Sequence, residues 1–281
     1  MTSWSIYMNF KLSITLIALI TLFLLTAGCL VTSQQNDLEK YELKYNFKQG
    51  EQYSYEVLTA IEKPSTKVSE TTDIYVVSEE NNHINLKVLT KTVTNTKSEE
   101  QIYHMNMTPS GEIIKIKSND LIIPEIQLEL VSILEYPKKE FAEGDVWSSY
   151  FSKNDSLFID NNLVEYTVSG NTTYKCSERS EISVKAGKFD CVAIETTTDY
   201  ILDAKYKSEN ESIFLKTNGV VQGENWIDLD RGFLAKSEYN VNKNTMTDFS
   251  ELYKDLGIEN IHRSTPQKSY TASELIDIKR K

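Results

Sequence analysis

The chain reads as a mainly β protein built on an antiparallel sheet, and three observations predict it. Beyond about residue 41, apolar or aromatic residues alternate with polar ones through most of the sequence. Clusters of Gly, Pro, Asn and Asp recur between the alternating runs. The composition is rich in Thr, Tyr, Val and Ile, with 16 Tyr in 281 residues, and these side chains suit a pleated, half-buried surface.

Eight runs carry the alternation: Tyr53–Val57, Thr72–Val77, Ile84–Val88, Ile113–Lys117, Tyr166–Val168, Val192–Ile194, Ile213–Leu215 and Phe233–Val241. Successive strand side chains point to opposite faces, so each run buries one face and leaves the other to solvent. Turns are expected at Lys48-Gln49-Gly50, Glu80-Asn81-Asn82, Pro109-Ser110-Gly111, Asn161-Asn162, Ala186-Gly187 and Asp230-Arg231-Gly232.

Two segments break the period of two. In Glu125–Tyr136, Ile126, Leu130, Ile133 and Leu134 fall near helical spacing, Pro124 suits a first turn and Pro137 a stop. Leu128 keeps a strand reading open there. A second helix is predicted around Asp248–Leu256, where Phe249, Leu252, Tyr253 and Leu256 share a face. A helix in such a protein packs across the concave face of the sheet. Beyond Gly257 the sequence turns polar and ends in Lys279-Arg280-Lys281, so residues 258–281 are expected to be a loose tail.

The N-terminus has a separate task. Leu12–Leu25 is an uncharged run of about 14 residues behind Lys11, too short for a spanning helix of about 20 residues and suited to the apolar region of a signal peptide. Thr26-Ala27-Gly28-Cys29 resembles the lipobox of lipoprotein precursors, in which the cysteine is lipidated and becomes the first mature residue. That places residues 1–28 in a signal peptide, lipid on Cys29, a linker over 29–40 and one β domain over 41–257. An ordinary cleaved signal peptide and an uncleaved anchor are the alternatives. One acyl chain holds a protein only marginally at a membrane, and stable anchoring takes two or more.

Loss of residues 1–28 removes one cation, leaving 29 Lys and Arg against 41 Asp and Glu, or −12. Nucleic acid needs a basic stripe, and none is present. An acidic surface repels anionic headgroups, so the anchor must provide the membrane attachment. With Cys29 lipidated, Cys176 and Cys191 remain in the exported portion and flank a hairpin at Ala186-Gly187. A disulfide between them closes a loop of about 15 residues and stabilises by roughly 3 kcal/mol; two buried free thiols are the alternative.

Four blocks carry a resemblance: Tyr45–Tyr55 with Gly50; Pro137–Trp147 with Gly144, Asp145 and Trp147; Ile182–Cys191 with Gly187 and Phe189; and Trp226–Phe233 with Trp226 and Gly232. Together they resemble exported β proteins akin to the half-barrel lipoprotein carriers of the LolA and LppX type. The resemblance implies a strongly curved antiparallel sheet with one or two helices on its concave face and an apolar cavity between them. Its motifs make the fold rather than perform chemistry.

No nucleophile elbow, zinc-protease helix, phosphate-binding glycine loop or Cys-x-x-Cys pair is present, so no catalytic residue, cofactor or metal is assigned. The histidines His83, His104 and His262 are scattered, and Asp228 and Asp230 lack the further acidic ligands that calcium requires. Two functions are left. One is a carrier or sensor of an apolar, lipid-like molecule; the other is a cell-envelope structural module that meets a protein partner with a fully packed core.

Overall fold

The computed structural model describes residues 39–62, 65–93, 98–118, 133–159, 162–207, 212–254, 257 and 260–280. Its strands are β1 (Lys40–Tyr41), β2 (Gln52–Ile61), β3 (Thr66–Glu80), β4 (His83–Val93), β5 (Ser98–Met107), β6 (Ile113–Ser118), β7 (Phe141–Ala142), β8 (Val146–Ile159), β9 (Asn162–Val184), β10 (Gly187–Lys207), β11 (Ser212–Asp228), β12 (Leu234–Asp248) and β13 (His262–Lys279). Apart from a small β1–β7 pair, they form one antiparallel sheet of 11 strands in the order β6-β5-β4-β3-β2-β13-β12-β11-β10-β9-β8, curled into a half-barrel. All eight alternating runs fall on these strands, although Phe233 itself lies just before β12.

The sheet consists of two meanders, β2–β6 and β8–β12, joined by the last strand. β13 pairs with β12 from Lys236↔Glu274 to Asp248↔His262 and with β2 from Ser269↔Ile61 to Lys279↔Gln52. The polar tail expected over 258–281 is therefore wrong for most of its length. What obscured the strand is its inward face, which presents Ser269, Thr271, Ser273 and Leu275 where aliphatic residues would have marked alternation.

The expected helices also need correction. Among the described residues there is no α-helix. Asp248 ends β12, residues 250–253 form turns closed by Leu252 N donating to Phe249 O at 3.0 Å, and residues 255 and 256 of the expected helix lie outside the described residues. Of the helix expected over Glu125–Tyr136, residues 125–132 lie outside the described residues, and 133–136 have no helical structure. The concave face is instead crossed by extended chain. Tyr41, Leu43, Tyr45 and Phe47 are buried at alternate positions and join Ile133, Leu134 and Tyr136 in one cluster with Tyr53, Tyr55, Ile74, Leu86 and Ile194 of the sheet. Each large side chain so buried contributes about 1.5–3 kcal/mol.

Beyond the β1–β7 pair these floor segments have no strand partners among the described residues, so their backbone polar groups are satisfied elsewhere, as burial requires. Tyr45 N donates to Pro109 O at 2.8 Å, Asn46 N to Arg231 O at 2.9 Å and Tyr136 N to Ser110 O at 2.7 Å. The Tyr136 hydroxyl donates to Gly232 O at 2.7 Å. Gly232 holds φ 69°, and a Cβ there would sit 2.1 Å from Lys44 O, so only glycine permits the floor strand to lie this close. The β9–β10 hairpin closes the same end. Its tip reaches β13 through Ala186 N donating to Leu275 O at 3.2 Å, while Lys185 forms ion pairs with Glu56 and Glu274.

The cysteines do not form the expected disulfide; both are free and buried. Register explains why. Cys176 lies opposite Ile194 and Cys191 opposite Ser180, across an irregularity at Val192/Ile194. Cys191 is thus three residues along β10 from the partner of Cys176, about 10 Å of strand, whereas a disulfide needs Cα atoms within ~7 Å. Burial raises both thiol pKa values, to about 11 for Cys176 and about 12 for Cys191, with acidic neighbours adding to the effect.

Candidate binding cleft at the open seam

Among the described residues the sheet has two unpaired edges, β6 and β8. They face each other across a cleft of about 620 Å³, within the usual range for small-molecule sites. Ile113, Ile114 and Ile116 of β6 line one wall, Ser149, Tyr150, Phe151 and Lys153 of β8 the other, and Ile133, Glu135 and Lys138 the back. The β6 wall is aliphatic because Ile113-Ile114-Lys115-Ile116 gives an apolar side chain to both faces of an edge strand. The β8 wall takes its aromatics from consecutive residues, Tyr150 (70% exposed) and Phe151, which point to opposite faces.

Polar groups line the back, at Glu135 and Lys138, and both walls, at Lys115 on β6 and at Ser149, Ser152, Lys153 and Asp155 on β8. Glu135 has a raised pKa because it is buried and Glu112 lies nearby, opposed by Lys138 and a hydrogen bond from Ser149. Lys138 pairs with Glu112 at 3.5 Å, and Trp147 Nε1 donates to Glu135 O at 3.2 Å. The cleft therefore combines isoleucine and aromatic side chains with a half-buried carboxyl, Glu135, and the charged groups Lys115, Lys138, Lys153, Asp155 and Glu112. Such a surface can hold an apolar body with a polar end.

A second depression, of about 650 Å³, crosses the outer face of β8–β13 past Tyr150, Ile201, Val220 and Pro266. Those four side chains lie on the outward set of their strands, and Gly170, Tyr200, Gly219 and Lys243 of the inward set also line it.

The motif residues expected from the sequence sit around the floor and outside the cleft. Gly50, Gly144, Gly187 and Gly232 all hold positive φ, at 84°, 87°, 138° and 69°. Asp145 Oδ2 accepts from Ala142 N at 2.9 Å and fixes the turn into β8. Trp147 stacks on Tyr174 at 5.3 Å, and Phe189 meets Phe233 edge-on at 5.2 Å. Trp226 lies outside the buried cluster, with the Lys236 ammonium 4.9 Å from its ring. Cys29 and residues 1–38 lie outside the described residues.

Sequence reading missed a buried ion pair. Arg231 pairs with Glu51 and donates to the Tyr53 hydroxyl at 2.5 Å, with its backbone N donating to Asp228 Oδ2 at 2.9 Å. Asp228 therefore secures a turn. Among the described residues there is no group of three or more His, Cys, Asp or Glu that could hold a metal ion. His83 and His262 sit apart, beside Asn106 at 3.2 Å and Asp248 at 3.5 Å.

Fold and site together define an open antiparallel half-barrel with an amphipathic cleft at its seam. No protein-family model and no curated protein matches the chain. Two solved structures share part of its backbone path. A protein of Bacteroides fragilis, inferred to be exported and having a YmcC-like fold, is 13% identical over 85% of this chain and 99% of its own, with a TM-score of 0.33. An inferred lipoprotein of Parabacteroides distasonis is 12% identical over 85% of this chain and 100% of its own, with a TM-score of 0.34. Likenesses this distant carry no functional inference, so the case for function comes from the chain's own geometry.

Proposed function

We propose that the protein is a non-enzymatic, extracytoplasmic lipoprotein, tethered through lipid on Cys29, that binds or carries an apolar, lipid-like molecule within its half-barrel, as the LolA and LppX type does. The observation that carries this reading is the seam cleft. Two edge strands stay unpaired with each other, and isoleucine and aromatic side chains line the space between them. A protein that needed only a packed core would gain from closing that seam, because an open edge invites aggregation. The N-terminal signal supports delivery to a membrane surface, and a linker of about 11 residues limits reach to ~40 Å. The domain therefore works beside the bilayer.

The packed floor favours a second reading, an envelope interaction module, since Tyr45, Tyr53, Tyr55 and Tyr136 are all within 2% of full burial. Native mass spectrometry of protein released gently from its own cells separates the two. The carrier reading expects a bound small molecule and displacement of an apolar fluorescent probe such as N-phenylnaphthylamine by it. A ligand-free mass, with no probe uptake, sinks the carrier reading.

A further inference from the structure

The hydrogen-bonding register places five inward residues in one row across the sheet. Phe151 on β8 lies opposite Gly170 on β9, Gly170 opposite Tyr200 on β10, Tyr200 opposite Gly219 on β11, and Gly219 opposite Lys243 on β12. Both glycines sit beneath rings: a Cβ on Gly170 would lie 2.5 Å from the Phe151 ring, and one on Gly219 would lie 2.2 Å from the Tyr200 ring. Phe151 and Tyr200 belong to a second apolar cluster with Val221, Tyr239 and Val241, separate from the floor cluster. Four strand spacings of about 4.8 Å make the row ~19 Å long, measured along the sheet. Phe151 at one end is a wall of the seam cleft. Lys243 is at the other.

Lys243 is unusual for its position. Val241, two residues earlier on the same face, is buried, so the Lys243 side chain starts from the concave side. Its inward neighbours are Thr217 and Gly219 on β11, Gln267 and Ser269 on β13, and Val241 and Thr245 on its own strand. None is acidic. Other lysines of this protein lie within ion-pair distance of carboxylates, as Lys185 and Lys207 do, but Lys243 has no hydrogen bond or ion pair among the described residues. Burial alone lowers its pKa, with no acid opposing the effect. A desolvated ammonium without a counter-charge is costly to a fold, and a bound anion removes that cost.

We propose that Lys243 receives the anionic head group of a bound amphiphile whose apolar chain lies over the Phe151–Tyr200 row toward the seam. The proposal rests on the carrier reading and specifies its ligand class: one apolar chain of about the row's length ending in a carboxylate or phosphate. The row makes this geometry specific. Glycine-ring pairs give a flat apolar surface, 8% exposed at Tyr200, and Thr217, Thr245 and Ser269 place hydroxyls around Lys243.

The test uses the unit Glu39–Lys281, which holds all the strands and both apolar clusters. Calorimetric titration compares dodecanoate, dodecyl phosphate and neutral 1-dodecanol on the native sequence, Lys243→Met and Lys243→Arg. Native protein should prefer the anionic probes by about tenfold or more; Lys243→Met should lose that preference while keeping affinity for dodecanol, and Lys243→Arg should retain it. The stronger of the two anions identifies a carboxylate or phosphate source. Equal affinity of native protein for anionic and neutral probes overturns the proposal and leaves the carrier reading standing. An unchanged preference in Lys243→Met overturns it as well. Failure of native protein to bind any of the three overturns both. Should Lys243→Met fail to fold by near-ultraviolet circular dichroism, the native preference and the Arg variant decide.

Discussion

The Tyr45 hydroxyl joins two floor segments through both backbone groups of Leu134, accepting from Leu134 N at 2.7 Å and donating to Leu134 O at 3.2 Å. Both residues are buried, and Tyr45 stacks on Tyr136 with centroids 4.8 Å apart. One side chain thereby replaces a strand partner for a segment that has none, and burial pushes its ionisation far above the ordinary phenol value. Tyr45→Phe keeps the stacking and leaves a buried N–H and C=O unpaired. The expected loss is about 2–4 kcal/mol, read as a lower urea midpoint. A shift indistinguishable from zero would show that water satisfies the Leu134 groups.

Arg231 and Glu51 form a second kind of long-range tie across the floor, an ion pair, with side chains 11% and 7% exposed. Burial opposes ionisation of Glu51, but hydrogen bonds from Lys48 N and the Tyr53 hydroxyl, together with the Arg231 guanidinium, outweigh it, so its pKa is lowered. A carboxyl whose folded pKa is depressed stabilises above its unfolded value, and that contribution disappears as pH falls through the folded value. Arg231→Met strands a buried carboxylate and should cost about 3–5 kcal/mol near neutrality. The deficit should narrow below about pH 4, where Glu51 protonates in the unfolded chain. Denaturation midpoints at pH 7 and about pH 3 check it; a deficit that does not depend on pH rules out the ion pair as its source.

The strands that were readable from sequence are those whose inward positions are aliphatic or aromatic, such as Ile84, Leu86 and Val88 on β4. β13 escaped notice because Ser269, Thr271 and Ser273 face inward, paired with neighbours such as Thr59, whose hydroxyl lies 3.1 Å from that of Thr271. Pro266 also weakens the local strand signal, since proline removes a ladder hydrogen bond and argues against a central strand. The cleft was invisible for a different reason: Ile116 and Phe151 are 35 positions apart in sequence and meet only because the sheet curls. Lys243, within Asn242-Lys243-Asn244, reads locally as an outward polar run.

β13 supplies a direct test of that correction. As the strand between the two meanders it cannot be removed without exposing β2 and β12. A chain ending before His262 should lose near-ultraviolet circular dichroism and aggregate, while one shortened only by Arg280 and Lys281 should fold as the full chain does. A soluble, cooperatively unfolding chain ending before His262 would contradict the central placement.

Cys176 and Cys191 are predicted to remain thiols even in an oxidising compartment. Ellman's reagent should find two thiols per unit Glu39–Lys281 after denaturation without reductant, and almost none beforehand, because both side chains are buried and their pKa values are near 11 and 12. Zero thiols after denaturation would mean that β9 and β10 adopt another register.

Glu70 gives a pH dependence opposite in sign to that of Glu51. It lies on the inward set of β3 between Thr72 and Val68, opposite Val57 of β2 and Thr92 of β4. Burial raises its pKa, only partly offset by hydrogen bonds from the Thr92 hydroxyl at 3.0 Å and the Thr72 hydroxyl at 3.3 Å. A carboxyl whose folded pKa lies above its unfolded value favours the folded state most below the unfolded value, and that advantage is lost as pH rises through the folded value. At pH 8 the ionised group is therefore a liability that glutamine lacks, while its amide oxygen can still accept from the threonines. Glu70→Gln should raise the urea midpoint at pH 8 and leave it nearly unchanged at pH 4. An equal gain at both pH values would point to packing, and no gain at pH 8 would mean that solvent reaches the carboxylate.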